Sequence, residues 1–197
     1  MTSLQDLMIS RVRVKLIELF FHHPEEMYYV REITRLTHEE INAVRRELDR
    51  MVGFALLKNE QRGNRVYYFL NPRYPFYQEL RQMVAKTTGL GAKLRQLRRK
   101  LGTIEFVMFS SRFVAKQALR QGEVDMLVVG EVVLPELEAL VKDQEKDLGR
   151  EINYSVITSD EFTFRKQRRD PFIMDVLYSG RIMIVGSEEE FVERKTV

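Results

Sequence analysis

The pattern of apolar positions in the first third of the chain predicts helices separated by short breaks. Residues Arg11–Phe21 carry apolar side chains at helical spacing, and a His-His-Pro sequence follows them, so we expect one helix here. The aromatic sequence Met27–Tyr29 predicts a brief strand. Residues Val30–Leu36 then predict a helix of two turns.

A longer helix is predicted next. Its apolar side chains recur three to four residues apart, at Ile41, Val44, Leu48 and Met51. Thr37 and Glu40 have the Ser/Thr-x-x-Glu spacing of a capping box, so we expect the helix to open at Thr37. Gly53 ends the apolar pattern.

Two strands follow the longer helix. They are predicted at Phe54–Gln61 and Arg65–Leu70, and the Gly63-Asn64 pair between them is typical of a tight hairpin turn. The Asn71–Pro75 segment, with two prolines, ends the second strand. A helical stretch predicted within residues 76–101 then connects to the second half.

The second half alternates between short apolar strands and helices. We expect strands at Ile104–Phe109, Val124–Val129, Ile152–Ile157 and Arg181–Val185. We expect helices at Arg112–Gln121, Leu134–Leu148, from Ser159 onward, and Pro171–Leu177. This alternation predicts helices packed on a small mixed sheet.

These patterns divide the chain into three parts. We predict a first domain over residues 1–75, a helical linker over residues 76–101 and a second domain over residues 102–197. The linker has three readings: a basic helix that extends a DNA footprint, a solvated connector, or a dimerisation helix. The predicted fold class is a mixture of α+β and α/β.

Composition narrows the classes of function. The 197 residues include no cysteine and only three histidines, which excludes disulfides and thiolate metal sites. Neither a membrane-length apolar run nor a signal-peptide layout is present, so we expect a cytoplasmic protein without membrane association. Residues 1–100 carry 19 Lys and Arg against 11 Asp and Glu, whereas residues 101–197 carry 13 against 18. A basic first half favours a polyanionic partner.

Several basic side chains of the first half are predicted to lie on the outward face of the longer helix and at the hairpin turn, two places that can contact nucleic acid. Burying the apolar face of the longer helix turns polar residues outward, and these are Glu39, Asn42, Arg45, Arg46 and Asp49. In the major groove, Arg can pair with guanine and Asn with adenine through two hydrogen bonds each. Arg62 and Arg65 flank the hairpin turn, where they suit phosphate or minor-groove contact. The competing reading of Arg45 and Arg46 is a solvated face with Glu39, Glu47 and Asp49 as local partners.

In this order of helix, short strand, short helix, longer helix and basic hairpin, the first half resembles winged helix-turn-helix domains of the ArsR-like class. The resemblance implies double-stranded DNA as partner, with Asn42, Arg45, Arg46, Arg62 and Arg65 as the contacting residues. Symmetric DNA sites make a homodimer the default expectation.

The second half resembles minimal nucleotidyltransferase domains of the DNA polymerase β type. Those domains have a Gly-Ser turn after a strand, then an Asp-x-Asp motif on the next strand and a third carboxylate further on. The corresponding residues here are Ser110 and Ser111, then Glu123 and Asp125, and then Glu151 or Asn153. The resemblance implies Mg²⁺ and a nucleoside triphosphate, held by Ser111, Glu123 and Asp125 if the domain is active.

The departures from this motif predict an inactive domain. Ser110 replaces the glycine that lets phosphate approach the backbone, and Glu123 replaces the first aspartate. Two-metal transfer needs a complete carboxylate set, so we expect no catalytic residues, metal or cofactor. The sequence therefore predicts a transcriptional regulator whose second domain serves assembly or ligand sensing. One alternative is an active metal-dependent transferase that modifies a protein or RNA, and another is a winged helix that binds protein. A nucleotide is a candidate ligand of the second domain, whether or not that domain is active.

Overall fold

The computed structural model describes residues 8–120 and 122–193, and the chain divides into two units, with the boundary in the sequence between Thr87 and Thr88. Both units mix helices with a sheet, so the chain is of the α+β class. The first ten residues, on which the expectation about a signal peptide rests, lie mostly outside the described part.

The first unit contains a three-stranded sheet and a set of helices. Its elements are α1 (Arg11–His22), β1 (Tyr28–Tyr29), α2 (Val30–Thr37), α3 (Ile41–Gly53), β2 (Leu57–Arg62), β3 (Arg65–Leu70) and α4 (Tyr77–Thr87). The sheet order is β1-β3-β2, and both pairings are antiparallel. The predicted first helix, brief strand and hairpin are confirmed within one to three residues at their ends. The register pairs Arg62 with Arg65, and Gly63 between them has a positive φ of 60°, which a residue with a Cβ rarely adopts.

The core of the first unit joins α1, α2, α3 and the hairpin. Its fully buried members include Val14, Leu16, Phe20, Ile33, Val44, Leu48, Met51, Leu56 and Leu57. Of the apolar stripe predicted for the longer helix, Val44, Leu48 and Met51 are buried and Ile41 is half-buried. This packing fixes which face of α3 points to solvent.

The predicted capping box at Thr37 is wrong. Thr37 is the last residue of α2, where its buried hydroxyl donates to the Ile33 carbonyl at 2.8 Å. His38 then has a left-handed φ of 54°, which turns the chain between the two helices. The N-cap of α3 is Glu40, whose carboxylate accepts from the N–H groups of Asn42 and Ala43, each at 2.8 Å. The carboxylate therefore satisfies two N–H groups of the first turn.

The second unit is a four-stranded sheet with helices. Its elements are α5 (Gly89–Gln96), α6 (Arg98–Leu101), β4 (Gly102–Ser110), α7 (Ser111–Val114), β5 (Met126–Val132), α8 (Leu134–Leu148), β6 (Tyr154–Ile157), α9 (Ser159–Gln167), α10 (Pro171–Tyr178), β7 (Arg181–Val185) and α11 (Glu188–Val192). The sheet order is β6-β5-β4-β7, with β5 and β6 parallel and the other pairs antiparallel. The predicted helix Leu134–Leu148 and strand Arg181–Val185 are confirmed to the residue.

One predicted helix of the second unit is wrong over most of its length. The Arg112–Gln121 prediction corresponds to a single turn, α7, which ends before Lys116 takes a left-handed φ of 55°. Residues 117–120 have no regular structure, and Gln121 lies outside the described residues. The side chain of Arg112 donates to the Ala118 carbonyl at 3.0 Å, so the chain folds back on α7 instead of extending it.

The boundary between the units divides the predicted linker. Helix α4 packs in the first unit through Val84, whereas α5 packs in the second through Leu90 and Leu94. With the boundary at Thr87, the first unit carries 14 basic and 11 acidic residues and the second carries 18 of each. The two units therefore differ less in net charge than residues 1–100 differ from residues 101–197.

A buried lysine of the second unit holds the segment around Phe191 and Glu193. The ammonium of Lys166 donates to the carbonyls of Phe191 and Glu193, at 2.6 and 2.5 Å, and lies 5.2 Å from the ring centroid of Phe162. These contacts satisfy a charge that would otherwise be costly to bury.

Candidate functional site

Helix α3 presents a polar face opposite its buried stripe. Val44, Leu48 and Met51 are fully buried, whereas Asn42, Arg45 and Arg46 are exposed. The guanidinium groups of both arginines form no hydrogen bond or ion pair within the described residues. The structure thus leaves these side chains available to an external partner.

A buried carboxylate holds α3 against α1. Glu47 is 5% exposed and accepts hydrogen bonds from Arg13 Nε at 2.9 Å, Ser10 Oγ at 3.1 Å and Arg50 Nη1 at 2.9 Å. Burial raises the pKa of Glu47, but the hydrogen bonds from Arg13 and Ser10 and the nearby positive charges outweigh it and lower the pKa overall. Glu47 is therefore not a partner of Arg45 or Arg46.

The outward position predicted for Glu39 is wrong. Its side chain is only 11% exposed and pairs with Arg11 Nη2 at 2.8 Å and Lys15 Nζ at 2.7 Å, both on α1. Hydrogen bonds from Lys15 and Arg11 lower the pKa of Glu39. Its negative charge is thus neutralised on the α1 side, away from the row formed by Asn42, Arg45 and Arg46.

The hairpin displays both of the predicted arginines, and each has an aromatic neighbour. Arg65 lies over the ring of Tyr29 at 4.6 Å, and Arg62 lies 5.9 Å from the ring centroid of Tyr67. Arg62 also donates to the carboxylate of Glu60 at 3.1 Å, which raises the pKa of Arg62. The tip of the hairpin is therefore basic, although Glu60 offsets one of its two charges.

In the second unit, the two serines at the start of α7 are engaged by neighbouring groups. Ser110 is the N-cap, and its hydroxyl accepts from the Phe113 N–H at 3.1 Å. The backbone N–H of Ser111 donates to the Gly180 carbonyl at 2.8 Å. A Cβ on Gly180 would lie 2.8 Å from Ser111 Oγ, so a larger residue at this position would require the serine side chain to move.

The two predicted carboxylates of the second unit face different partners. Glu123 accepts from the Arg120 N–H at 2.7 Å and lies 3.4 Å from Arg112 Nε. Asp125 has a side chain only 1% exposed, and both its oxygens accept from Arg150, at 3.1 Å each. The structure therefore does not bring these two carboxylates together around one open position.

Neither of the two candidates for the third position adds a buried carboxylate beside Asp125. Glu151 is exposed. The N–H of Asn153 donates to Asp125 at 3.0 Å, and its side-chain amide donates to the Glu123 carbonyl at 3.1 Å. Asn153 thus ties the backbone around both predicted carboxylates and supplies no charge.

Arg150 is the residue of this region that sequence analysis missed. Besides pairing with Asp125, its guanidinium lies over the Phe113 ring at 5.1 Å. Arg150 follows Gly149, which ends α8 with a left-handed φ of 66°. The guanidinium therefore lies between the end of α8 and the start of β5. An acidic residue directly before an apolar strand is the sequence signal that such a partner exists.

A cavity of about 260 Å³ lies beside these groups. It is lined by Met108, Ser110, Ser111, Arg112, Arg120, Glu123, Val124, Asp175, Val176, Tyr178, Ser179, Gly180 and Arg181. Ser111 and Glu123 therefore share one cavity, and Asp125 is not part of its wall. The guanidinium of Arg181 closes one side by donating to three carbonyls at the end of α10, those of Val176, Leu177 and Ser179.

Within residues 8–120 and 122–193, no cluster of three or more His, Cys, Asp or Glu side chains has a geometry suited to a metal ion. In the same residues, every helix is too short or too polar to cross a membrane.

Comparison with known proteins gives no assignment. No family model matches the sequence, and no curated protein matches it either. A solved structure, human N-acetylserotonin methyltransferase in complex with SAM, is similar over 49% of this chain with 15% identity and a TM-score of 0.32. The match spans 32% of that protein, about a third of its length. A similarity this low supports no statement about fold or function.

Proposed function

We propose that this protein is a DNA-binding transcriptional regulator of the winged helix-turn-helix class. The observation that carries the proposal is the exposed pair Arg45 and Arg46 on α3. Neither guanidinium forms a hydrogen bond or an ion pair among the described residues, and the opposite face of the helix is buried. An exposed helix with uncommitted Arg and Asn side chains suits the major groove, where such groups can pair with base edges.

The basic hairpin supports the same proposal. Its antiparallel strands place Arg62 and Arg65 opposite each other at the turn, where they would contact phosphate or the minor groove. The pairing of Glu39 with α1 removes one of the negative charges that would oppose DNA. In this proposal the protein binds double-stranded DNA as a homodimer.

We assign the second unit to ligand sensing or assembly without nucleotidyl transfer. Three groups that the transferase chemistry would need are engaged within the chain itself. The N–H of Ser111 is bonded to Gly180, the carboxylate of Glu123 is held by Arg120 and Arg112, and that of Asp125 is held by Arg150. Releasing each of these contacts would cost free energy before a metal or a phosphate could bind.

The test begins with the selection of duplexes from a random DNA pool by the full-length protein. Fluorescence anisotropy on the selected duplex then measures Kd for wild type and variants. Arg45→Ala should cost about 1–3 kcal/mol on the selected site and relax the base preference at one position. A two-fold symmetric selected sequence is expected for a homodimer.

Arg73→Ala is the matched control. Arg73 is an exposed arginine of the same unit that lies outside both α3 and the hairpin, so its removal changes the charge equally. Equal effects of Arg45→Ala and Arg73→Ala would contradict base recognition by α3. An absence of salt-dependent DNA binding would contradict the proposal as a whole and favour the protein-binding alternative.

A further inference from the structure

The three-stranded sheet of the first unit has two faces of different character. One face contributes Tyr28 and Tyr68 to the core. On the opposite face the register places Tyr29 beside Tyr67, and Phe69 follows two residues further along β3. These last three side chains are half-buried, and among the described residues none of them belongs to the core of the unit or packs against it. Three aromatic rings therefore lie on a face of the sheet that the core does not use.

The same face of the sheet is basic. Strand β2 brings Lys58, Glu60 and Arg62 to it, and β3 brings Arg65. All four side chains are exposed, and the carboxylate of Glu60 is paired with Arg62 at 3.1 Å. Three cations against one carboxylate leave the face with a positive charge, which complements a polyanion.

Two of these cations lie over the aromatic rings. The guanidinium of Arg65 is 4.6 Å from the ring centroid of Tyr29, and that of Arg62 is 5.9 Å from the ring centroid of Tyr67. The centroids of the two tyrosine rings are 5.7 Å apart. Aromatic rings and Arg guanidinium planes are the two kinds of group on which nucleic-acid bases stack in proteins. The face combines both kinds within a few ångströms.

The spacing of these groups distinguishes paired from unpaired bases. Arg65, Tyr67 and Phe69 alternate along β3, so neighbouring members of this row are about 6.8 Å apart. Successive nucleotides of a duplex strand are only about 3.4 Å apart along the axis, and their bases are stacked on each other. A single strand can separate its bases and place them on such rings. The row therefore fits unpaired bases better than a duplex.

We infer that this outer sheet face, formed by Tyr29, Tyr67, Phe69, Lys58 and Arg65, binds single-stranded nucleic acid. The phosphates would face the cations, while unpaired bases would stack on the rings and on the guanidinium groups. This inference goes beyond the duplex recognition proposed for α3, because it concerns another surface and another partner. An acidic peptide would engage the cations but would leave the three rings without a role.

The experiment measures the binding of labelled single strands to the full-length protein by fluorescence anisotropy. The probes are oligothymidine and oligouridine of about 15 nucleotides, long enough for a site of this kind, and a duplex of the same length and unrelated sequence. Wild type should bind at least one of the single strands more tightly than the duplex, with an affinity that falls as the salt concentration rises. The two single strands separate a preference for DNA from a preference for RNA.

Variants assign the binding to the outer sheet face. Tyr67→Val should weaken the single strand at least about fivefold, because one stacking ring is lost. Valine is favoured in strands, and Tyr67→Phe, which keeps the ring, should bind like wild type. The matched control is Tyr178→Val, since Tyr178 is 84% exposed and lies in the second unit. It should leave the affinity unchanged.

Two further variants keep the inference testable if Tyr67→Val does not fold, which thermal unfolding of each protein shows. Phe69→Val removes a second ring and should also weaken the single strand at least about fivefold. Lys58→Gln changes an exposed side chain and should reduce the slope of log K against log salt concentration by about one.

Three outcomes would overturn the inference. These are an absence of salt-dependent binding to either single strand, unchanged affinity in folded Tyr67→Val or Phe69→Val, and equal affinity of wild type for the single strands and the duplex. Arg45→Ala separates this inference from the proposed regulator, because it should weaken the selected duplex and leave single-strand binding unchanged. Loss of duplex recognition with intact single-strand binding would contradict only the regulator, and the reverse result would contradict only the outer sheet face.

Discussion

Both terminal nitrogens of Arg150 donate to the carboxylate of Asp125, at 3.1 Å each, while the aspartate side chain is 1% exposed and the arginine side chain 39% exposed. The pair is thus buried at the carboxylate end and open to solvent at the guanidinium end. A buried carboxylate needs such a partner, because an unpaired charge in the interior is costly. Arg150 therefore stabilises the junction between the end of α8 and the start of β5.

Replacing Arg150 should destabilise the second unit. Arg150→Ala leaves Asp125 with the Asn153 N–H as its remaining side-chain contact, so we expect a loss of about 2 kcal/mol, less than for a fully buried pair because the guanidinium is partly exposed. Chemical denaturation measures the free energy of unfolding. Arg99→Ala, an exposed arginine of the same unit, is the control and should change stability by less than about 0.5 kcal/mol. Equal stability of Arg150→Ala and wild type would show that the pair contributes nothing.

The lowered pKa of Glu47 in the folded state should make the stability of the first unit depend on pH. The folded state lowers the pKa of Glu47 below its ordinary value, so the unfolded state takes up a proton first as the pH falls. The stabilisation by ionised Glu47 is therefore complete above its unfolded pKa of about 4.5 and is lost as the pH falls through the lower folded pKa. Glu47→Gln should cost about 1–2 kcal/mol at pH 7, and this difference should shrink below about pH 4.

The measurement is the unfolding free energy of wild type and Glu47→Gln between pH 3 and pH 7. Glu79→Gln, an exposed glutamate on α4, controls for the loss of one negative charge and should follow the wild-type curve. A difference between wild type and Glu47→Gln that stays constant down to pH 3 would contradict the assigned role of the ionised carboxylate.

The regular elements of this chain were predictable where local periodicity defines them. Leu134–Leu148 and Arg181–Val185 were predicted to the residue, because an amphipathic stripe and an apolar strand are each set by neighbouring residues. The start of α3 was not predicted correctly, because Thr37 and Glu40 are both residue types that can cap the N-terminus of a helix. Only the packing of Thr37 into the core decides that Glu40 is the cap.

The contacts of the candidate sites were less predictable than the elements. Arg150 lies 25 residues from Asp125, and Arg13 lies 34 residues from Glu47, so no spacing rule links the partners. Glu47 did carry a signal, since it falls on the buried stripe of α3 between Val44 and Leu48. A charged residue at such a position requires a partner from another element.

The hairpin offers a test of how Glu60 modulates the basic tip. Glu60→Gln removes the acidic partner of Arg62, and we therefore expect stronger binding to all DNA sequences alike and a steeper dependence on salt. Arg62→Ala should weaken all sequences alike and reduce the slope of log K against log salt concentration by about one. Anisotropy titrations at several salt concentrations on selected and unrelated duplexes provide both quantities. Opposite shifts from Glu60→Gln and Arg62→Ala are required, and an unchanged slope in both would remove the hairpin from the DNA interface.

The second unit should not transfer nucleotides. Incubation of the protein with labelled nucleoside triphosphates, Mg²⁺ or Mn²⁺, and protein or RNA acceptors should give no covalent label. The physical reason is the engagement of Ser111 by Gly180 and of Asp125 by Arg150, which leaves Glu123 as a single carboxylate already bonded to Arg120. Two-metal transfer stabilises both the attacking and the leaving oxygen, so one carboxylate is insufficient.

Arg150→Ala distinguishes a blocked transferase from one that lacks the necessary groups. If Arg150 only covers a competent site, its removal should free Asp125 and give label transfer that depends on the metal. We expect no transfer in this variant, because the N–H of Ser111 stays bonded to Gly180 and the position of a third carboxylate is occupied by Asn153 or by the exposed Glu151. The control is Asp125→Asn, which removes the charge that either mechanism would need. Label transfer by wild type or by Arg150→Ala that is lost when Asp125→Asn is added would contradict the prediction and assign the second unit to the active transferases.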